Sequence, residues 1–339
     1  MEAAIIKQRM NKACHEAGML EQPDIKYPLF DIFHDTVYPA FLQRHWPEEA
    51  RGTFFTNIKP ALGLASKLLF LQGTWPWWIK LCVGEYGFVS DLDPRCSSYI
   101  RDVIIITEAS AEARDALAEL SNYVRIKIRS PDEEERLKET HSNMRLITGP
   151  APEGRPRQLP FFAGLGFEGK DASVLISLSR GYLDYFSRPQ DQLPPGEATR
   201  VLFFLALRLV RHVAKAIEVL RFRGQSRYSG SIWHTISDDD PNVSDSWEKH
   251  VFEWTLYSSV PRTGQQMWER AHWYQSPKDP DRKRGVPTEY LQEFLSRFFW
   301  EQRGETFKLP YLSPPVLDWK SNVVYDREAK KKVARFRQV

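Results

Sequence analysis

The pattern of apolar and polar positions centres on the stretch 199–224, TRVLFFLALRLVRHVAKAIEVLRFRG. Val201 to Leu207 is unbroken apolar sequence, and from Arg208 the pattern takes helical spacing. At about 100° per residue, Arg208, Arg211, His212, Lys215 and Glu218 fall within roughly a third of the circumference. The other positions up to Leu220 are Leu, Val, Ile or Ala. A helix that is apolar on most sides belongs in the middle of a domain. Pro194, Pro195 and Gly196 before it and Gly224 after it suit its two ends. The prediction is a central helix carrying one narrow basic stripe.

The same reading places further elements around it. Thr53 to Leu71 reads as a helix interrupted near Pro60. Trp75-Pro76-Trp77-Trp78 fits a helix start buried against the core, or else an aromatic platform for a sugar or lipid. Val103 to Thr107 is continuous apolar sequence and reads as a buried strand, and Ser110 opens a helix through about Asn122. Tyr123 to Ile128 alternates as a half-exposed strand, and the acidic run Asp132 to Glu135 opens a solvated helical segment. The Pro- and Gly-rich stretch 149–160 is the best internal boundary. Ala172 to Leu178 is a strand, and Gly285 to Glu301 a last helix with Tyr290, Phe294 and Phe298 at four-residue spacing. From Pro310 the chain is expected to be an extended basic tail, mobile over its last dozen residues. Three regions follow: 1–150, mainly helical with a few strands; 151–309, the core around helix 199–224; and 310–339, the tail. The fold class is α+β, helix-rich, with a small sheet packed on the central buried helix.

Composition narrows the function only a little. A chain of 339 residues is long enough for a substantial core. A formal charge of +3 gives no strong nucleic-acid signal. Cys14, Cys82 and Cys96 are too few and too scattered for a disulfide framework or a zinc knuckle. The N-terminal residues lack the apolar core of a signal peptide, and no run reaches the length of a membrane span. Cytoplasmic residence is the expectation, with a nuclear one open through the basic AKKK tail.

Two clusters could carry chemistry. Asp238, Asp239 and Asp240, with Asn242, Ser246 and Glu248, have the hard oxygen donors that magnesium and a diphosphate require. They sit beside Pro241 in a turn-rich stretch, with the two donor sets fused instead of facing each other, so a solvated loop is the favoured reading. The second is the basic stripe. Arg211 and Lys215, at i and i+4, repel one another slightly unless something negative faces them. That something is either the protein's own carboxylates, Glu218 and the Asp238 cluster among them, or an anionic ligand in a cleft. The histidines are dispersed, and no Gly-x-Ser-x-Gly nucleophile turn occurs.

The order of elements resembles a known group. Strand 172–178 leads to the apolar helix 199–224, then to Ser246-Trp247-Glu248 running to Phe252, then to a helix led by Val286-Pro287 and closing on Phe299-Trp300-Glu301. Across residues 172–301 this resembles fungal zincin-like proteins related to the His-Glu-x-x-His metallopeptidases, and the resemblance implies a zincin-like core. In that group the central helix carries the zinc motif. At the matching positions this chain reads Arg211-His212-Val213-Ala214-Lys215, and the downstream glutamate ligand falls at Asn242. The resemblance therefore implies a degenerate site, because zinc takes neutral imidazole or anionic ligands and arginine stays charged. No cofactor and no metal are expected.

Two functional expectations remain. One is a pseudoenzyme, a binding or scaffolding protein with an unidentified protein partner. The other is a metal-free enzyme of fungal specialised (secondary) metabolism acting on an anionic or polyketide-like small molecule, with His212 as acid–base group and Arg211 and Lys215 holding the anion. Whether the chain is an enzyme stays open at this stage. Both expectations predict that purified protein carries no stoichiometric zinc and that chelators leave its melting temperature unchanged. Elemental analysis finding one tightly held zinc per chain would overturn the alignment on the helix.

Overall fold

The structure, a computed structural model, describes residues 37–88, 98–103, 107–137, 142–149, 171–222, 234, 242–252, 255–258, 272–276, 279–286, 288–303, 318–326 and 331–338. The Asp238–Asp240 run, most of the 149–160 boundary, residues 104–106 of the expected strand and Gly224 lie outside them.

The chain enters through short 3-10 turns whose Tyr38, Phe41 and Trp46 are buried. Helix α1, Thr53–Leu69, runs straight through Pro60. The expected interruption does not occur, although proline withholds one ladder donor. Ser66 in α1 donates to Leu62 O at 2.7 Å and accepts from the buried Tyr38 N at 2.8 Å, tying the entering segment to the helix. Helix α2, Trp75–Val83, starts on the tryptophan run with Pro76 in its first turn. Trp77 and Trp78 are buried edge to face at 4.9 Å, as the core reading of that run requires.

A short hairpin pairs β1, Tyr86–Phe88, with β2, Ser98–Ile100. Helix α3, Thr107–Leu120, begins three residues before Ser110, and its Ala113, Ala116, Leu117 and Leu120 are buried. The expected half-exposed strand is β3, Val124–Ile128, whose residues alternate between buried and half-buried. Helix α4, Pro131–Arg136, starts with a capping box in which Ser130 and Glu133 satisfy each other's backbone N–H groups.

Strands β4, Ser142–Gly149, and β5, Asp171–Leu178, complete a mixed three-stranded sheet in the order β3-β5-β4. β5 runs parallel to β3, from Val124↔Val174 to Ile128↔Leu178, and antiparallel to β4, from Ser142↔Leu178 to Gly149↔Asp171. Helix α5, Arg180–Phe186, follows at once, with the Ser179 hydroxyl accepting from Gly181 N.

The central helix α6 spans Pro195–Phe222, so the proline and glycine expected to precede it form its first turn. From Ala198 to Phe222 only Arg208, Arg211, His212, Lys215 and Arg221 escape full burial. The narrow stripe is thus real, and Glu218 lies within it fully buried. α6 packs on α1, α2, β4 and β5. Arg221 donates to Leu81 O at 2.6 Å and Gly84 O at 3.1 Å, closing the carbonyl end of α2, where a cation is favoured.

Helix α7, Val243–Phe252, lies along α6 and leads to β6, Thr255–Ser258. Strands β7, His272–Ser276, and β8, Asp279–Gly285, continue the chain. The expected last helix is two short ones, α8, Thr288–Glu293, and α9, Arg297–Arg303. The N–H groups of Leu295 and Ser296 bond three residues back, to Gln292 and Glu293, so the first helix ends in a tight turn. β8 occupies the residues up to Gly285. Phe294 is buried among Phe203, Phe252 and Phe299, whereas Phe298 is 66 % exposed and leaves the apolar file. The extended tail contains β9, Asp318–Asp326, and β10, Lys331–Gln338, paired along their length. They close an antiparallel sheet in the order β10-β9-β8-β7-β6.

The observed class is α+β, with helices dominating and a small mixed sheet against the buried central helix. Among the described residues no helix is long and apolar enough to cross a membrane. Replacing Ser66 by Ala should lower unfolding stability by about 1–3 kcal/mol in denaturant titrations, because the buried Tyr38 N–H loses its acceptor. An unchanged midpoint and slope would show that this tie carries no stability.

Candidate functional site

The stripe residues face three different neighbours, each positioned by a separate element. Arg211 points at α7. Its Nη2 donates to Asp245 Oδ1, and its Nη1 donates to Glu248 Oε2 at 3.4 Å. Asp245 and Glu248 stand at i and i+3 on α7, one turn of the face that meets α6. The docking is reinforced on both sides. Asn242 Nδ2 donates to Asp245 Oδ2 at 2.9 Å, and Asn242 Oδ1 accepts from Ser244 N at 3.1 Å, capping the start of α7. The Ser244 hydroxyl donates to Arg211 O at 3.1 Å. Glu248 Oε2 also accepts from Leu256 N at 3.1 Å, so it ties β6 to the same point.

Glu248 is 1 % exposed. Burial pushes its carboxyl above the usual range; Arg211 opposes that rise and Asp245 adds to it. Arg211 therefore stands between two acids, one of which would be costly to leave alone.

Lys215 turns the other way, to Glu218 one turn along α6. Their 2.7 Å separation makes an ion pair by distance, without hydrogen-bond geometry at Glu218 Oε2. Glu218 is fully buried and Lys215 reaches it from a 27 % exposed position. Glu218 is one of the internal carboxylates expected to face the stripe.

His212 meets the sheet. Its Nε2 and the Ser142 hydroxyl at the start of β4 share a 2.7 Å hydrogen bond. Burial, then the charges of Arg208, Arg211 and Arg129, hold the imidazole down to about 3. His212 is consequently neutral at physiological pH and a weak base.

Around this pair lie residues that one-dimensional reading did not find. The Arg129 side chain is fully enclosed, donating to Leu137 O and Asn143 Oδ1 at 3.2 Å each and lying 3.8 Å from Glu134. Glu134 also accepts from the Ser179 hydroxyl at 2.6 Å and Arg180 N at 3.0 Å. The Tyr182 phenol on α5 is raised by burial, a rise opposed by Arg208 and Arg129. Arg208, which the stripe did include, lies with its guanidinium carbon 4.6 Å from the centre of the Phe204 ring. Nothing in the sequence spacing links Ser142 or Arg129 to a helix some 70 residues on; only the sheet brings them there. Asp245 was missed as well; the i,i+3 spacing of Asp245 and Glu248 would have paired them had residues 243–252 been expected to be helical.

The third position expected from the zinc pattern, Asn242, is close by, but it serves as a cap and a donor to Asp245. Among the described residues no three His, Cys, Asp or Glu side chains group so as to hold a metal ion. No family model, curated protein or solved structure matches this chain.

Two histidines held neutral, His212 and His234, set a pH dependence. His234, stacked at 4.3 Å on Trp77 and bonded to Trp77 O at 3.1 Å, is also held down to about 3, mainly by burial. A free histidine titrates near 6.5, so the unfolded chain binds protons there that the folded chain refuses. Stability is full above about pH 6.5 and falls progressively as pH drops toward 3. His212→Gln should reduce the proton uptake on unfolding near pH 5 by about one, read from the pH dependence of unfolding free energy. An unaltered slope would mean that His212 is not desolvated in the folded protein.

Proposed function

We propose that this chain is a zincin-derived protein without zinc ligands, and that it works as a non-peptidase binding or scaffolding protein. The observation that carries the reading is the neutralisation of the stripe from within. Arg211 is matched by Asp245 and Glu248, and Lys215 by Glu218. A site built to hold a substrate anion keeps its cations available; here the two that replace the zinc histidines are already engaged by the protein's own acids. His212, in the place of the catalytic glutamate, is held neutral and far too weak a base to activate water at neutral pH.

The carboxylates on α7 fit a history of metal loss. A pair of acids facing a helix position would suit a dication or a guanidinium, since both present positive charge to oxygen. In this reading Arg211 has taken over the metal's electrostatic role and kept α7 docked. The second reading, a metal-free enzyme of specialised metabolism, draws its support from the Ser142–His212 hydrogen bond, a polar pair that packing alone does not require.

Reversion tests the first reading. The triple variant Arg211→His, His212→Glu, Lys215→His restores the motif opposite Asp245 and Glu248. It should bind close to one zinc per chain, while the unaltered protein binds none and cleaves no peptide. A reverted chain that keeps its circular dichroism spectrum and cooperative melt yet takes up no zinc would end the proposal of zincin ancestry.

A further inference from the structure

The C-terminal sheet gathers cations on one of its faces. Residues directly opposite one another on paired strands share a face, and so do residues two apart along a strand. The register of β8, β9 and β10 puts Arg282, Lys320 and Arg337 in one row across three strands, with Lys320 opposite both arginines. Two residues from that row, on the same face, stand Arg284, opposite Asp318, and Arg335, opposite Asn322. These positions span about 10 Å across the strands and about 14 Å along them. Two acids share the face, Asp318 and, farther along, Asp326 opposite Lys331.

Like charges directly opposite each other destabilise a sheet, so the row Arg282–Lys320–Arg337 is costly unless something negative lies on it. A charged edge that discourages pairing with other chains would need cations on β10 alone. This row runs two strands inward, to β9 and β8. On the same face at the other end of the sheet, Leu256 of β6 is buried, so the basic area belongs to the β8–β10 end.

The residue types select the occupant. Four of the five cations around the row are arginines, whose planar fork matches phosphate oxygens. Tyr274 of β7 stands opposite Arg284 on the same face, an aromatic position beside the cations on which a base can stack. An anionic membrane surface takes basic and apolar groups together. Here Trp319 and Phe336 fall on the opposite face. The small net charge of +3 does not oppose a polyanion, because the potential that attracts one is set by local segregation of charge.

We propose that the face of the C-terminal sheet carrying Arg282, Arg284, Lys320, Arg335 and Arg337 binds single-stranded nucleic acid, with phosphates on the cations and a base on Tyr274. Binding there does not depend on zincin ancestry. Failure of the reversion experiment would leave it standing, and the reversion could succeed without it.

The test is fluorescence anisotropy of labelled oligo(dT) or oligo(U) of about 15 nucleotides with the full-length protein. Binding should be saturable, and its affinity should fall with salt at a log–log slope of about −3. Lys320→Gln combined with Arg337→Gln should weaken binding at least tenfold and flatten that slope by about one. The melting temperature of this variant should hold or rise, because like-charge repulsion is relieved. If the combined variant fails to fold, Arg335→Gln alone carries the same test with a smaller loss. Tyr274→Leu should weaken binding several-fold and leave the salt slope unchanged. Lys283→Gln, on the opposite face, should bind as the unaltered protein does. The proposal would be overturned by absent or salt-independent binding, or by an equal loss from Lys283→Gln. Tighter binding of a duplex of the same length, or capture of phosphatidylserine vesicles without oligonucleotide binding, would overturn it as well.

Discussion

The folded arrangement depends on one electrostatic constraint, the burial of charge between α6 and α7. Glu248 is almost completely enclosed, and it touches both Arg211 and the backbone of β6. Removing the guanidinium would leave a buried carboxylate with the nearby Asp245 repelling it, a loss on the order of 3–5 kcal/mol by comparison with other broken buried pairs. Because total stability of a domain is only about 5–15 kcal/mol, such a pair fixes where α7 must lie. Apolar packing of Phe203, Trp247, Phe252 and Phe294 is permissive by comparison, since aromatic surfaces can meet in several registers.

That constraint also organises the chemistry. Three polar residues of the stripe are drawn to different parts of the molecule: Arg211 to α7, Lys215 forward along α6 itself to Glu218, His212 to β4. A single helical face therefore stitches the sheet to the second helical layer. The same engagement leaves these groups little freedom to act on a ligand; Arg208 has no ion pair among the described residues, but Glu248 and Asp245 still favour its charge.

Much of the fold was legible because burial dominates it. The apolar sides of α6, the alternation in β3 and the tryptophan start of α2 each follow from which residues avoid water. Pro60 misled because a long apolar face holds α1 together across one missing hydrogen bond. The single helix expected over 285–301 failed because four-residue spacing of Tyr290, Phe294 and Phe298 imitated a continuous face, while backbone bonds at Leu295 and Ser296 turn the chain. At the site, Glu218 was readable as an i,i+3 partner of Lys215. Ser142 and Arg129 were not, since strand order, not spacing along the chain, brings them toward His212.

The central claim is that Arg211 is engaged internally and not reserved for a ligand. The most direct measurement is a double-mutant cycle on unfolding free energy with Arg211→Met, Glu248→Gln and the combined variant. Internal pairing predicts that either single change is strongly destabilising and that the double variant recovers part of the loss, giving a coupling energy of about 1–3 kcal/mol. Strict additivity, with Arg211→Met neutral or stabilising on its own, would contradict the account and return Arg211 to the status of an available anion-binding cation.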